Sequence, residues 1–283
     1  MNGNTQKKSL RADPFSLVMR VLVWGAALLT AGVLLALIAY ILIRGVPNLK
    51  LSLFELEYNS ENVSMFPSIV MTIYMTVLTL IITTPLGIGC AIYLTEYAKR
   101  GNKVVEVIRL AAETLSGIPS IVYGLFGMLF FVTALQWKNS ILAGSCTLAI
   151  MVLPLIIRST EEALISVPDS YREGSFGLGA GKLRTVFQVV LPSAIPGILA
   201  GVILGIGRIV GETAALIYTA GTVAKITINP MESARTLAVH MYALSSEGLH
   251  TSEAFATGVV LLLVVLMLNA TSNAIAKRIT KGK

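Results

Sequence analysis

Residues Val21 to Ile43 read VLVWGAALLTAGVLLALIAYILI, without a charged residue or a proline. An apolar stretch of about 20 residues can cross the hydrocarbon core of a bilayer as an α-helix. The apolar part of a cleaved secretory signal is shorter, at about 7 to 15 residues, so this stretch is predicted to remain in the protein. The sequence therefore predicts a membrane protein whose first span lies near the N-terminus.

Further uncharged runs cover 62–95, 114–137, 139–157, 185–207 and 254–276. The composition agrees with a lipid environment, because 55% of the 283 residues are hydrophobic and only 13% are charged. Ordinary soluble domains contain about 25% charged residues. Pro192 and Pro196 interrupt the start of the fifth of the six runs, which predicts a fifth helix from about Pro196 to Tyr218. We expect an all-α integral membrane protein with six transmembrane helices.

The distribution of basic residues predicts the orientation, because loops rich in Lys and Arg stay in the cytoplasm. Of the 22 Lys and Arg residues, all fall on one predicted side except the embedded Arg208 and the five residues Arg44, Lys50, Lys138, Lys225 and Arg235. Both termini are therefore predicted to be cytoplasmic, with tails at 1–20 and 277–283 around one membrane domain at 21–276. These flanking residues account for the net charge of +7, and no nucleic-acid binding is predicted.

The longest inward loop reads YREGSFGLGAGKLRTVFQVVLPSAIPG from Tyr171 to Gly197. It resembles the cytoplasmic signature of binding-protein-dependent ABC importer permeases: Glu-Ala-Ala, three residues, Gly, nine residues, Ile, one residue, Leu-Pro. Gly174 and Ser175 replace the two alanines, and Val189 replaces the isoleucine. The spacing of the signature is kept throughout, and its positions fall on Glu173, Gly174, Ser175, Gly179, Val189, Leu191 and Pro192.

The resemblance implies the type I permease fold of ABC importers and a coupling role for the segment at about 171–192, which would seat on an ATPase subunit. The alternative is an ordinary amphipathic surface helix. GLGAGKL at 177–183 is not a phosphate-binding loop, because Phe176 and Leu183 stand where that motif has Gly and a hydroxyl residue. ATP and Mg²⁺ are therefore expected to bind a separate ATPase subunit.

No catalytic site or cofactor site is predicted in the chain. No nucleophile lies at a recognisable spacing from a base, and the chain is not predicted to be an enzyme. His240 and His250 are ten residues apart without other metal ligands around them, so we interpret them as surface histidines and predict no metal site.

Arg208 and Glu212 lie within an otherwise uncharged stretch and, four residues apart in the predicted helix, would share one face. A charged residue at the centre of a span costs about 2.5 to 3.5 kcal/mol on insertion scales, so the pair is expected to face the bundle interior or a watery path. One interpretation is an anion pathway at the Arg208 guanidinium. The other is a permanent ion pair that fixes helix packing.

Two other features near the spans allow more than one interpretation. Arg158 ends the fourth run and is either a snorkelling anchor or a secondary pathway residue. A stripe of threonines in the second run either lines a pathway or bonds its own preceding carbonyls; its members are Thr72, Thr76, Thr79 and Thr83. Gly201 and Gly205, and separately Gly207 and Gly211, have the small-xxx-small spacing that predicts close helix approach.

ETLSGIPSIVYGLFG at 113–127 and RIVGETAALIYTAG at 208–221, with the inward loop between them, resemble the PstA family of phosphate importer permeases. The resemblance implies phosphate uptake across a bacterial inner membrane, with a PstC-like paired permease, a PstB-like ATPase dimer and a PstS-like binding protein. It assigns Arg208, Glu212, Thr213 and Arg158 to the substrate pathway. An ABC permease for another anion, a proton-coupled secondary transporter, and a channel or scaffold are the alternatives.

Overall fold

A computed structural model describes residues 14–99 and 101–281. The basic residues Lys7, Lys8, Arg11, Arg100 and Lys283, and the tail residues 1–13 and 282–283, lie outside the described residues. Within those ranges the chain contains helices, turns and loops and no strand. In chain order the α-helices are α1 (Pro14–Gly45), α2 (Phe66–Ile92), α3 (Lys103–Ser116), α4 (Ser120–Gly127), α5 (Ile141–Ile165), α6 (Asp169–Gly177), α7 (Lys182–Thr185), α8 (Leu191–Val210), α9 (Ala214–Thr219), α10 (Leu237–Glu247) and α11 (Thr251–Lys281).

Short π-helical and 3₁₀ segments complete the helical framework. The π-helical turns Tyr93–Tyr97, Met128–Ala134 and Val186–Val190 extend α2, α4 and α7. The 3₁₀ turns Val46–Asn48 and Leu51–Phe54 follow α1. Among the described residues, five helical segments are long and apolar enough to cross a membrane, and a bent pair makes six if it is counted as one span.

The bent pair consists of α3 and the segment Ser120–Ala134, which meet at 105°. The apolar run at 114–137 predicts the third span, and in the structure residues 114–116 of that run still belong to α3. Gly117 caps α3, and Pro119 precedes the first residue of the next helix. Proline disfavours helical geometry at the residue before it, so the chain turns here.

The fifth span also differs from its prediction. One helical segment runs from Lys182 to Val210, whereas the sequence predicted a helix from Pro196 to Tyr218. Pro192 does not begin a new helix, because the π-helical turn Val186–Val190 continues into α8 with helical backbone angles at Val190 and Leu191, and Pro196 lies inside α8. Gly211 then caps α8, and α9 begins only at Ala214.

The core lies where α2, α5 and α8 pack together with α9. Large apolar side chains from all four helices meet there, among them Met75, Met151, Ile156, Ile209 and Leu216. α1 lies outside this core and packs on α11, where Gly45 lies against Phe255. On the predicted outer side, residues of the segment that follows α1 pack on α10 and α11 through Leu53, Met65 and Leu237.

Candidate functional site

A cavity of about 390 Å³ opens between α3, α5 and α8. Three arginines line it, one from each helix: Arg109, Arg158 and Arg208. Two carboxylates, Glu113 and Glu161, share the same wall. The structure therefore brings together two of the predicted pathway residues, Arg158 and Arg208, although fifty residues separate them in the chain.

The three arginines differ in their carboxylate partners. Arg109 pairs with Glu161. The Nε of Arg158 donates to Glu162 at 3.3 Å, and both side chains of that pair are exposed, so the pair contributes only about 0 to 1 kcal/mol. Among the described residues, no carboxylate lies within ion-pair distance of Arg208. Arg208 is thus the guanidinium of this cavity that has its charge available for an anion.

Glu212 occupies a different position from the one predicted. Because α8 ends at Val210, Glu212 lies in the break between helices and not on a shared helical face with Arg208. Its side chain is buried, and its Oε1 accepts a hydrogen bond of 3.0 Å from the backbone N–H of Ala215. The predicted ion pair between Arg208 and Glu212 is absent from the described part of the chain, where Glu212 holds the start of α9.

Thr213 lines a second cavity, of about 540 Å³, between α1, α10 and α11. This cavity is largely apolar and includes Ile41, Met241 and Phe255 in its walls. The break at Gly211–Thr213 therefore separates an arginine-lined cavity from an apolar one. Non-helical backbone within a membrane is tolerated only where protein or a water-filled cavity surrounds it.

The small residues of α8 explain how it approaches α5. A β-carbon on Gly201 would overlap the side chain of Ser159, and one on Gly205 would lie 3.1 Å from Val152. The close approach predicted for this pair is confirmed. Gly207 has no neighbouring side chain in reach among the described residues, so the second small-xxx-small pair forms no contact in this chain.

The threonine stripe of α2 faces protein. Thr72, Thr76, Thr79 and Thr83 are all buried, on a helix that packs extensively on α5. Three of them donate to carbonyls one turn earlier, at 2.6 to 2.8 Å. Thr72 also accepts from the N–H of Leu237 at 2.8 Å. This favours the interpretation in which these hydroxyls satisfy backbone groups.

Sequence reasoning missed the contribution of α3 to the cavity. Arg109, Glu113 and Ser116 all line it. Arg109 and Glu113 lie before the third apolar run, which begins at residue 114, and read as part of a loop, whereas Ser116 lies at the start of that run. Their spacing of four and three residues places them on one helical face. That periodicity was the available signal, together with the N-cap Asn102, whose side chain accepts from the N–H of Val104.

The coupling segment folds as a helix, a tight turn and a second helix. α6 ends at Gly177, and Gly179 has a φ of +82°, which an L-residue with a side chain adopts only under strain. The hydroxyls of Ser175 and Thr185 lie 2.8 Å apart and tie the two helices together. A hollow of about 300 Å³ lies beside this turn, and the segment continues through Leu191 and Pro192 into α8.

Apolar side chains of this segment are exposed, both on α6 with the turn after it and at the start of the helical segment Lys182–Val210. Leu178 is 90% exposed. Four neighbours are also exposed: Tyr171, Phe176, Leu183 and Phe187. An exposed apolar cluster at the end of a helical bundle is typical of a protein–protein contact. Glu173 and Gly174 lie on α6 within the same surface.

The prediction of a surface histidine is wrong for His240. Its side chain is fully buried on α10, with its ring 6.1 Å from that of Tyr58 in an edge-to-face arrangement. The guanidinium of Arg235 lies 4.4 Å from the same tyrosine ring. Burial, followed by the charge of Arg235, lowers the pKa of His240 to about 3. The imidazole is therefore neutral at physiological pH.

The sequence and the fold both have known relatives. Residues 83–282 match the family described as binding-protein-dependent transport system inner membrane component. The probable ABC transporter permease protein YqgI of Bacillus subtilis is 36% identical over 273 residues, covering 90% of this chain and 92% of that protein. The phosphate transport system permease protein PstA 2 of Mycobacterium bovis is 33% identical over 208 residues, covering 72% of this chain and 68% of that protein.

A solved structure supports the architecture. The bacterial alginate ABC transporter in complex with an alginate pentasaccharide-bound periplasmic protein contains a chain that superposes with a TM-score of 0.66 at 16% identity. The superposition covers 95% of this chain and 98% of that one. At this identity the likeness concerns the fold alone, and it confirms the predicted all-α permease fold. The chain therefore belongs to the family of inner membrane components of binding-protein-dependent ABC importers.

Proposed function

We propose that the chain is a phosphate permease subunit of a bacterial inner-membrane ABC importer. The observation that carries the proposal is Arg208, a guanidinium in the arginine-lined cavity without a carboxylate partner among the described residues. A guanidinium binds phosphate oxygens through paired N–H donors. The similarity to phosphate transport permeases supports phosphate as the anion.

The proposed pathway runs from the outer side past the break at Gly211–Thr213 to the cavity at Arg208. Arg158 would take the ion next, because its exposed pair with Glu162 is weak enough to exchange. Glu212 would hold the break in shape through its hydrogen bond to Ala215, and Thr213 would lie at the outer end of the path. A helix broken near the membrane centre can expose its ends to alternate sides.

The exposed cluster around Leu178 would seat the chain on an ATPase subunit. Glu173, Gly174 and Ser175 would form the contacting helix, Gly179 the bend behind it, and Leu191 with Pro192 the connection to α8. ATP and Mg²⁺ would bind that subunit, so that this chain itself catalyses no reaction. A paired permease and an external phosphate-binding protein would complete the complex. Closure of the ATPase dimer would move α6 and reorient the spans between inward-open and outward-open states.

The test is phosphate uptake by proteoliposomes that contain the complete complex, with ATP present or absent and with sulfate as competitor. Arg208→Gln is expected to lower uptake at least tenfold, which is the effect of losing a charge-assisted hydrogen bond of about 1.5 to 3 kcal/mol. Arg278→Gln, which alters an exposed arginine of α11, is the matched control and should leave uptake unchanged.

Each alternative predicts a different result. Uptake that does not need ATP would contradict the importer and favour a proton-coupled transporter or a channel. Competition by sulfate at equal concentration would favour a permease for another anion. ATP-dependent phosphate uptake that survives Arg208→Gln would retain the importer and remove Arg208 from the pathway.

A further inference from the structure

Arg172 lies on α6 immediately before Glu173, and its guanidinium reaches out of the coupling segment to the end of α2. Nη2 donates to Oε1 of Glu96 at 2.7 Å, and Nε donates to the same carboxylate at 3.2 and 3.4 Å. Glu96 belongs to the π-helical turn that extends α2. Two donors of the rigid guanidinium converge on one carboxylate, which fixes direction as well as distance.

The same guanidinium also holds the end of α5. Nη2 donates to the carbonyl of Leu164 at 2.9 Å, and Nη1 donates to that of Val167 at 2.8 Å. Leu164 lies in the last turn of α5, where its carbonyl also accepts from the N–H of Val167 at 3.3 Å. Nη1 also donates to Asp169 at 3.2 Å. This contact joins two residues of α6, because Asp169 is its first residue. One side chain therefore joins α6 to both α2 and α5.

This ion pair is largely shielded from water. The side chains of Arg172 and Glu96 are 17% and 9% exposed, whereas those of Arg158 and Glu162, a pair within α5, are 64% and 69% exposed. A shielded pair is costly to break, because either partner left alone keeps a poorly solvated charge. Arg172 can thus transmit a displacement of α6 to α2 and α5 while its bonds to both helices stay formed.

α5, to which Arg172 is bonded, also forms part of the arginine-lined cavity. α5 carries Arg158 and packs on α8 at Gly197 against Ala163 and at Gly201 against Ser159. α8 carries Arg208 near its end. A rigid shift of the end of α5 would therefore also displace α8 and Arg208, since interdigitated helices move together.

We infer that Arg172 is a positioning residue whose bond to Glu96 transmits movement of the coupling helix to α2, which packs along α5, and so links ATP hydrolysis to transport. The inference rests on the proposed function, because it requires an ATPase seated on α6. The competing explanation is that Arg172 only caps the end of α5. Glu96→Gln separates the two, because it removes the carboxylate and leaves the bonds to Leu164 and Val167 intact.

The experiment measures, in the complete complex in proteoliposomes, the ATP hydrolysed per phosphate transported and the ATPase subunit that co-purifies. Glu96→Gln and Arg172→Lys are each expected to keep the ATPase subunit bound and to raise the ratio of ATP to phosphate about tenfold, because lysine cannot form the two-pronged bond. Glu247→Gln and Arg20→Lys change exposed residues of α10 and α1 and should leave the ratio unchanged.

An unchanged ratio in Glu96→Gln would overturn the inference, because capping of α5 would then suffice. Loss of the ATPase subunit from both variants would also overturn it, since the pair would then maintain docking and not transmission. Failure of the proposed function gives a different result, in which the wild-type complex shows no ATP-dependent phosphate uptake. That result would also overturn the inference.

Discussion

Gly201 of α8 lies against Ser159 of α5 so closely that a β-carbon at position 201 would overlap the serine side chain. We expect Gly201→Ala to destabilise the protein by about 1 to 3 kcal/mol, the usual cost of an extra methyl group in a filled contact. The measurement is the midpoint of thermal unfolding of the purified protein in detergent.

Gly207→Ala is the control, because a β-carbon there meets nothing within 4 Å. Alanine is favoured over glycine within a helix by about 1 kcal/mol, so this variant should be as stable as the wild type or more so. Equal midpoints for the two variants would show that α5 and α8 are free to separate at Gly201.

Gly179 tests whether the bend of the coupling segment matters for docking. Its φ of +82° disfavours alanine by about 1 to 2 kcal/mol, although the space around it is open. Gly179→Ala is therefore expected to distort the turn and to reduce the amount of ATPase subunit that co-purifies with the permease. Gly248 has a φ of +72°, is equally open, and lies at the end of α10.

Gly248→Ala thus imposes a similar strain far from the coupling segment. It should lower stability as Gly179→Ala does and keep the ATPase subunit bound. If both variants lose the subunit to the same extent, general destabilisation explains the loss and the bend has no specific role.

His240 makes the stability of the protein depend on pH. Its pKa is about 3 when folded, because of burial and the charge of Arg235, against about 6.5 for an exposed histidine. Between these values the unfolded chain binds a proton that the folded chain does not, so stability is retained above about pH 6.5 and falls by about 1.4 kcal/mol per pH unit below it.

Thermal unfolding at pH 7 and pH 5 measures this dependence. His240→Leu should flatten the difference between the two midpoints. An unchanged pH dependence in His240→Leu would assign the effect to other groups.

The features that follow from local chemistry were predictable from the sequence. Uncharged runs of spanning length locate the membrane helices, and the spacing around Gly179 locates the coupling segment. Both depend on residues close together in the chain. The end of α8 at Val210 was not predictable, since the run through Tyr218 stays apolar enough to continue a helix and the break is stabilised by the bond between Glu212 and Ala215.

Features that depend on distant residues were missed for the same reason. The sequence around His240 does not distinguish a buried histidine from an exposed one. Its burial becomes apparent only from the packing of Tyr58 against the imidazole ring. In the sequence, Arg172 is only one of the basic residues on the predicted cytoplasmic side. Its pairing with Glu96 is not visible there, because the two residues are 76 positions apart in the chain. Ion pairs between helices become visible only when the fold brings the helix ends together.

The first helix, which rests on α11 and otherwise faces outward, has a practical consequence for purification. No residue in the most apolar 18-residue stretch of this span is buried by the rest of the chain. Exposed to water, such a surface costs about 25 cal/mol for each Å². Detergent chemistry, more than the strength of the internal core, should therefore decide whether the isolated subunit stays monodisperse, and short-chain detergents that cover this helix poorly should promote its aggregation first.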